Sequence, residues 1–287
     1  IGLQQTNYPV SILEQNLVLK NYMQLIKGEA YDLSKPVSVK DFIGPSSATL
    51  QMSNLIQEYD INDTNNSIPN IRKNYTVTDK ADGMRKLLYI NHDGKIYLIP
   101  MSMSPEFTGC RTTIKDLFNT IIDGEHILHD KKGEYLNMYA AFDIYFITGK
   151  NVTSLPFINV DTEAKETKDV KKEDDDDLDE DPPSKKPLQK DVNYRLVILN
   201  SVIKKMNTTS VVPNGKPSLN IGIKKFYAKN IFIGCANILN SVEKGLFEYN
   251  TDGLIFTPAN TGVLSNTTGK LAPNYKTTWI ESFKWKP

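Results

Sequence analysis

The chain has 287 residues, with 34 basic and 34 acidic side chains and 39% hydrophobic residues, which suits a globular protein with a sizeable core. No run of 18 or more apolar residues occurs, which argues against a membrane-spanning helix. Cys110 and Cys235 lack the spacing of a metal site, so we expect two reduced thiols.

The net charge of zero hides an uneven distribution. Residues 161–190 carry 12 acidic and 7 basic side chains, which leaves 27 basic and 22 acidic side chains elsewhere and a net charge of +5 there. A mildly basic body suits a phosphate-rich partner. An ordinary solvated surface explains the charge equally well.

The first predicted elements are helices. Apolar side chains recur with helical spacing over residues 12–26, which predicts an amphipathic helix. Its apolar set contains Leu13, Leu17, Val18, Met23 and Leu25. Residues 50–59 are predicted to form a second, shorter helix.

Strands follow the helices. Residues 87–90 and 95–99 flank Asp93-Gly94, a dipeptide that favours a tight turn, and the pattern predicts a β-hairpin. Residues 139–147 predict a further strand.

A charged segment interrupts this pattern at residues 161–190. Its run from Glu173 to Asp181 contains one uncharged residue. Such a composition cannot bury enough apolar surface to offset the entropy lost on ordering, so we predict a disordered acidic insertion. Residues 194–206 and 236–246 then have helical periodicity. We therefore expect residues 1–287 to form one domain of mixed α and β structure.

The first segment with chemical character is Lys80-Ala81-Asp82-Gly83-Met84-Arg85. A lysine that precedes a tight polar turn can be an exposed nucleophile. Lysine attacks phosphorus only as the neutral amine, and its reference pKa is about 10.4, so the site has to favour the neutral form. A nearby cation such as Arg85 would do so. Taken alone, the segment fits a surface turn as well.

Two carboxylates and two histidines lie in the next polar segment. Asp123 and Glu125 share a face if this apolar segment is a strand, with Gly124 between them leaving room for a ligand. The alternative is a hairpin turn with two solvated carboxylates. His126 and His129 would lie on opposite faces of a strand, which argues against a histidine metal site.

Two later segments each allow two interpretations. Phe142-Asp143 lies in an apolar strand, where the ring could stack on a base or belong to the core. Asp252 begins the apolar run Asp252-Gly253-Leu254-Ile255-Phe256. Its carboxylate suits a Mg²⁺ or Mn²⁺ ligand or a partner for a lysine, and a simple turn is the alternative.

The chain ends in Lys284-Trp285-Lys286-Pro287. Two lysines at i and i+2 of a strand share a face, while Trp285 points the other way into packing. Two buried lysines repel each other unless an anion such as a triphosphate lies between them. Two solvated lysines are the alternative.

The order of these segments resembles the collinear motifs of the covalent nucleotidyltransferase superfamily, which contains mRNA capping guanylyltransferases and ATP-dependent ligases. Asp252-Gly253, where ligases usually have Glu-Gly, and Lys284-Trp285-Lys286-Pro287 are similar to the capping branch. The lead-in at residues 75–79 looks most like the capping enzymes of large cytoplasmic DNA viruses. Residues 42–45, with Thr49-Leu50, look like the segment that precedes the nucleophile in capping enzymes.

The resemblance implies a role for each matching residue. Lys80 would form a lysyl-GMP intermediate from GTP and pass the GMP to a 5′-diphosphate RNA end. The implied catalytic residues are Lys80, Asp252, Lys284 and Lys286. The implied GTP-binding residues are Asp82, Arg85, Glu125, Phe142, Lys224 and Ile255. The implied metal ligands, for Mg²⁺ or Mn²⁺, are Asp252 and Glu125.

The resemblance also implies an α+β nucleotidyltransferase domain of twisted antiparallel sheets flanked by helices. Two features depart from the family: Asn91-His92 stand near the position of a frequent arginine, and the OB-fold domain expected to follow is absent. We therefore expect an excerpt of a longer polypeptide with flanking capping domains, located in the cytoplasm, a viral factory or the virion. The alternatives are an ATP-dependent ligase domain and a catalytically silent capping scaffold.

Overall fold

The structure is a computed structural model that describes residues 7–56, 68–160, 194–264 and 278–287. Within these ranges no helix has the length and apolar character needed to cross a membrane. The acidic insertion predicted at residues 161–190 lies outside them.

Three α-helices lie in the described ranges: α1 Ile12–Lys27, α2 Arg195–Lys205 and α3 Ile231–Glu243. The side chains of Ser11 and Asn230 accept backbone amide hydrogen bonds at the starts of α1 and α3. These caps satisfy donors that the first helical turn leaves unpaired, which explains where both helices begin.

The strands of the described ranges form two sheets. They are β1 Ser46–Thr49, β2 Tyr75–Ala81, β3 Met84–Ile90, β4 Lys95–Pro100, β5 Glu106–Arg111, β6 Thr120–His129, β7 Tyr135–Ile147, β8 Lys150–Asn151, β9 Thr209–Ser210, β10 Asn220–Ile223, β11 Thr251–Pro258 and β12 Thr278–Trp285. The smaller sheet has the order β1-β12-β11-β2, and the larger has β10-β7-β6-β3-β4-β5-β9, with β8 beside β7. The pairs β1–β12 and β10–β7 are parallel, and the other pairs are antiparallel.

The larger sheet is buried on both faces. Leu87 and Tyr89 of β3 lie in the hydrophobic cluster that contains α1, whereas Leu88 and Ile90 lie in the cluster that contains α2. Because successive strand residues point to opposite faces, a strand covered on both sides is apolar throughout. The continuous apolar run at residues 87–90 follows from this arrangement.

The smaller sheet packs on α3, and its strand β2 leads directly into β3 of the larger sheet. Ile231 and Ile238 of α3 share a cluster with Val77 and Phe256. The turn between β2 and β3 carries the chain from one sheet to the other. Residues at the end of β2 and the start of β3 therefore face each other across the cleft between the sheets.

A bulge in β11 lies opposite Lys80. The β2–β11 pairing joins Thr251 to Ala81 and Leu254 to Asp79, so Asp252 and Gly253 together oppose a single residue. Gly253 has a φ of 132°, and a Cβ there would lie 2.0 Å from the carbonyl oxygen of Trp285. Gly253 is thus a structural requirement of the bulge that presents Asp252.

Several predictions from the sequence are confirmed. The fold is of the α+β class, built largely from antiparallel sheets with flanking helices. The hairpin predicted at residues 87–90 and 95–99 is β3–β4, and Gly94 in its turn has a φ of 77°. The predicted strand at 139–147 lies within β7, and the predicted helix at 194–206 is α2.

The predicted apolar face of the first helix is partly wrong. Leu13 and Leu17 are exposed, and the buried residues of α1 are Val18, Tyr22, Met23 and Ile26. The buried set recurs every three or four residues along one narrow stripe. The predicted set covered too wide an arc of the helix.

Two other helix predictions have wrong bounds. Residues 50–59 were predicted as a helix, but a 3-10 helix covers Met52–Asn54 alone, and residues 57–59 lie outside the described ranges. There the side chain of Asn54 hydrogen-bonds to the Gln51 amide and the Pro69 carbonyl, in competition with an α-helical turn. The helix predicted at 236–246 is α3, which begins and ends earlier.

Candidate active site between the two sheets

A cleft of about 200 Å³ lies between the sheets and collects most of the predicted site residues. Its wall includes residues from β1, β2, β3, β6, β7, β11 and β12. The predicted residues among its lining are Lys80, Arg85, Glu125, Phe142, Lys224, Ile255 and Lys284. Residues that are scattered over more than 200 positions of sequence therefore share one cavity.

Lys80 lies at the cleft and forms an ion pair with Asp252. Its Nζ is 2.5 Å from Oδ1 of Asp252, and Nζ of Lys286 is 2.5 Å from Oδ2 of the same carboxylate. Burial alone would raise the pKa of Asp252, but hydrogen bonds from Lys286 and Lys80 outweigh it and lower that pKa. One ionised carboxylate therefore bridges two ammonium groups.

Arg85 is fixed by a bidentate ion pair with Asp123. Its Nε and Nη2 lie 3.0 and 2.5 Å from the two carboxylate oxygens of Asp123, which is fully buried. Nη1 donates to the carbonyl of Pro45 at 2.5 Å, and the hydroxyl of Tyr145 also donates to Asp123. The guanidinium is thus held rigidly at the cleft.

Glu125 pairs with Arg85 in the β3–β6 register and also faces the cleft. Its carboxylate makes no ion pair within 4.0 Å among the described residues. Burial raises the pKa of Glu125 to about 7, against the opposing influence of Lys224, Arg85 and Lys80. A half-buried, unpaired carboxylate in a cleft is typical of a ligand-binding group. Asp123 and Glu125 do lie on one side of β6, as predicted.

Phe142 and Ile255 line the cleft from different sheets. Phe142 belongs to β7 of the larger sheet, and the Arg85 guanidinium lies 5.4 Å from the centre of its ring. Ile255 belongs to β11, where it pairs with Thr78 and Lys284. An aromatic and an aliphatic side chain on opposed walls can hold a planar ring between them.

Lys224 is almost fully buried and bound to the residue before Lys80. Its Nζ lies 3.2 Å from Oδ2 of Asp79 and also donates to the backbone carbonyl of Asp79. The ammonium is therefore paired in the free protein, while the side chain still lines the cleft.

The two C-terminal lysines fit neither of the two alternatives, a buried pair or a solvated pair. Lys284 is half-buried and lines the cleft, whereas Lys286 follows the end of β12 and its side chain is 59% exposed. Trp285 packs against the core of the smaller sheet as predicted, but only partly buried. Asp252 supplies a carboxylate partner for Lys286, so burial gives no argument for a phosphate there.

The room expected at Gly124 is already filled. A Cβ at Gly124 would lie 2.5 Å from the ring of Tyr139, whose hydroxyl donates to the carbonyls of Lys86 and Ile122. The absence of a side chain at Gly124 therefore serves the packing of Tyr139 and not a ligand.

Three other predicted polar positions lie outside the cleft lining. Asp82 is exposed in the turn between β2 and β3. His126 hydrogen-bonds through Nε2 to Asn137, and the ring of His129 contacts Tyr135 edge-on.

The described residues do not offer a ready-made metal site. Among them, no group of three or more His, Cys, Asp and Glu side chains is close enough to hold a metal ion. Of the two implied ligands, Asp252 has both oxygens bound by ammonium groups, and Glu125 stands without a second acidic ligand. Magnesium is usually bound by one or two carboxylates together with substrate phosphates, so the residues alone do not complete such a site.

Sequence reasoning missed the residues that support the cleft from behind. Asp79 fixes Lys224, and Arg195 fixes Asp143 through bonds of 2.8 and 3.1 Å in a fully buried pair. Trp279 also lines the cleft. The one signal in the sequence was Arg195 next to the apolar run at residues 196–199, since an arginine beside such a run needs an acidic partner if it is buried.

Comparison with known proteins agrees with these motifs. Residues 67–181 match the family model described as mRNA capping enzyme, catalytic domain. A probable mRNA-capping enzyme of Acanthamoeba polyphaga mimivirus is 29% identical over 160 residues, which are 54% of this chain and 12% of that protein. The chain therefore spans a small part of the length of this relative.

Among solved structures, the chain is similar to a mycobacterial DNA ligase D complexed with ATP and MES, at 15% identity and a TM-score of 0.39 over 74% of this chain and 54% of that one. It is also similar to the ligase domain of LigD from M. tuberculosis, at 14% identity with the same TM-score and coverage. The matched family segment contains Lys80, Arg85, Asp123, Glu125 and Phe142. Residues 67–181 are thus similar to the catalytic domain of mRNA capping enzymes, in keeping with the motifs.

Proposed function

We propose that the chain is an mRNA guanylyltransferase that transfers GMP from GTP to the 5′-diphosphate end of RNA. The observation that carries this proposal is the position of Lys80 in the wall of a cleft that also contains an aromatic-aliphatic pair and a free ammonium, Lys284. A nucleophile, a slot for a planar base and a cation for phosphates are what nucleotidyl transfer requires.

In the first step, the neutral amine of Lys80 attacks the α-phosphorus of GTP. The Lys80 ammonium first gives one proton to solvent water; a P–N bond then forms, the bond from the α-phosphorus to the pyrophosphate oxygen breaks, and a second proton passes from the nitrogen to solvent water. Lys284 and Lys286 stabilise the phosphate charge that shifts onto pyrophosphate, because fixed cations act strongly in a cleft. Asp252 holds Lys80 in place before the attack.

In the second step, a terminal phosphate oxygen of the RNA diphosphate attacks the same phosphorus. The P–N bond breaks, Lys80 regains a proton, and the 5′-5′ linkage is complete. The chain's own contribution is again position and charge neutralisation.

The remaining cleft residues bind the nucleoside in this proposal. Arg85 and Glu125 contact the ribose, Phe142 and Ile255 enclose the guanine, and Lys224 contacts an edge of the base. Asp82 lies in the turn that follows Lys80, and we propose that it contributes less to GTP binding than the other residues do.

We further propose that Mg²⁺ or Mn²⁺ enters with the triphosphate, whose oxygens would supply most of its ligands; Asp252, once released by Lys80 or Lys286, and Glu125, where it does not bind the ribose, would be the protein groups that hold the ion. The proposed partners are GTP, RNA with a 5′-diphosphate end and flanking capping domains. The proposed location is the cytoplasm, a viral factory or the virion, in keeping with the mimiviral relative.

The test is incubation with α-labelled GTP or ATP, with and without Mg²⁺ or Mn²⁺, followed by denaturing electrophoresis. We expect acid-labile label from GTP that Lys80→Ala abolishes and that Lys150→Ala, an exposed lysine on β8, retains. Label from ATP would favour a ligase, and no label from either nucleotide would favour a silent scaffold. Label that persists on the Lys80→Ala protein would refute the assignment of the nucleophile.

A further inference from the structure

The residue before the nucleophile, Asp79, has a buried carboxylate with several donors. Asp79 is 2% exposed in β2. Its Oδ2 lies 3.2 Å from Nζ of Lys224 and accepts the hydroxyl of Tyr249 at 3.2 Å, while Oδ1 accepts the hydroxyl of Thr78 at 3.3 Å. Buried charges are retained where their partners are fixed, so this carboxylate ties three chain segments together.

The first tied segment carries Lys224, which follows β10. Its ammonium contacts both the carboxylate and the backbone carbonyl of Asp79, and its side chain is 4% exposed. Asp79 therefore determines where the ammonium group of Lys224 lies in the cleft.

The second tied segment leads into the bulge that carries Asp252. Tyr249 stands three residues before Asp252, and the β2–β11 ladder is interrupted between Thr251 and Leu254. The ladder alone therefore does not fix the carboxylate that faces Lys80. Burial raises the pKa of the Tyr249 hydroxyl, and the Asp79 carboxylate raises it further, so the hydroxyl remains a donor.

We propose that Asp79 and Tyr249 are positioning residues: the hydroxyl of Tyr249 fixes the bulge that holds Asp252 against Lys80, and the carboxylate of Asp79 fixes the ammonium of Lys224. Neither residue contacts the reacting atoms. This inference rests on the proposed nucleotidyl transfer and names two further residues that set its rate and its nucleotide affinity.

The two variants have separable effects. Tyr249→Phe removes a single hydroxyl, so we expect the labelling rate constant to fall about 10-fold while the KM for GTP stays within about 2-fold, since a displacement of about 1 Å at a reacting group can cost up to 100-fold. Asp79→Asn removes the charge opposite Lys224, so we expect the KM for GTP to rise by about 10-fold.

The matched control is Tyr97→Phe. Tyr97 is also buried, and its hydroxyl donates to Glu14 of α1 at 2.7 Å, at a position outside the cleft lining. Single-turnover labelling with GTP is measured for all three variants at a temperature well below the lowest melting temperature. We expect the control to label at the rate of the unaltered protein.

Hydrogen exchange of the peptide that spans residues 247–256 gives a readout independent of activity. We expect faster exchange there in Tyr249→Phe and unchanged exchange in Tyr97→Phe. Unchanged exchange and an unchanged labelling rate in Tyr249→Phe would overturn the inference. If the unaltered protein takes no label, the proposed function fails, and the exchange data still decide whether the hydroxyl fixes the bulge.

Discussion

Replacing Glu125 by Gln is expected to stabilise the protein at high pH while it impairs the use of GTP. Burial raises the pKa of this carboxyl from the reference value of 4.5 to about 7, and it has no ion-pair partner within 4.0 Å among the described residues. The ionised form is therefore worse solvated in the folded protein than in the unfolded chain. A ligand that hydrogen-bonds to the carboxylate would recover part of that cost.

The sign and size follow from proton linkage. Below pH 4.5 the carboxyl is protonated in both states and contributes nothing. As the pH rises from 4.5 to 7, the unfolded chain loses the proton first, so the folded state loses stability. One pKa unit corresponds to about 1.4 kcal/mol, so the rise of the Glu125 pKa from 4.5 to about 7 costs the fold at most about 3.5 kcal/mol at pH 8. In a domain of this size that is about 7–14 °C in melting temperature.

The assay is a thermal melt of Glu125→Gln and of the unaltered protein at intervals from pH 5 to pH 8.5, beside GTP labelling at pH 8. We expect the melting curves of the two proteins to coincide near pH 5 and to diverge in favour of the variant above pH 7. Glu134→Gln, the same change at an exposed position, is the control and should not diverge. A constant difference in melting temperature across the pH range would refute the reasoning.

Four further changes test the residues around the cleft and the acidic insertion. Arg195→Leu leaves the buried Asp143 unpaired and should lower the free energy of unfolding by about 3–5 kcal/mol, measured by thermal melt at pH 8. Burial already raises the pKa of Asp143, and loss of Arg195 raises it further. The loss of stability should therefore be smaller at pH 5. Trp285→Ala should lower the free energy of unfolding by about 3 kcal/mol, because it removes part of the core of the smaller sheet. Lys284→Ala should leave the melting temperature unchanged and weaken GTP labelling. Deletion of residues 163–188 should change neither melting nor labelling, since the composition of this charge run offers little to bury. Equal melting temperatures for Trp285→Ala and Lys284→Ala would contradict these expectations. Loss of labelling on deletion of residues 163–188 would contradict the last of them.

Local sequence patterns predicted the parts of the fold that depend on local physics. The alternation and the turn residues at Asp93-Gly94 predicted the β3–β4 hairpin, because such a turn fixes the register of its strands. The order of the motifs placed Lys80, Phe142 and Ile255 in one site, as the cleft now shows. The geometry of Gly253 explains why the glycine of the Asp-Gly pair in this motif is a backbone requirement.

The supporting partners were beyond the reach of the sequence because they join distant segments. Asp79 and Lys224 are 145 positions apart, and Asp143 and Arg195 are 52 positions apart. Periodicity indicates which face a side chain occupies, but only the topology determines which segment lies opposite. The ring of Tyr139, on the neighbouring strand β7, fills the space at Gly124, and this contact too is determined by the topology.

The charges at Lys80, Lys284 and Lys286 favour the binding of an anion, although for a different reason from the one the sequence suggested. Burial does not demand it, since Lys286 is largely exposed and Asp252 binds both Lys80 and Lys286. One carboxylate, however, neutralises only one of three ammonium groups, and Lys284 makes no ion pair among the described residues. These four groups taken together therefore retain an excess of two positive charges beside Lys80. Opposite charges at about 4 Å attract by several kcal/mol near a protein surface, so a polyphosphate gains most where it can approach all three ammonium groups. To do so it has to compete with Asp252 for Lys286, and under the proposed reaction that competition would take from the Asp252 carboxylate one of its two ammonium partners.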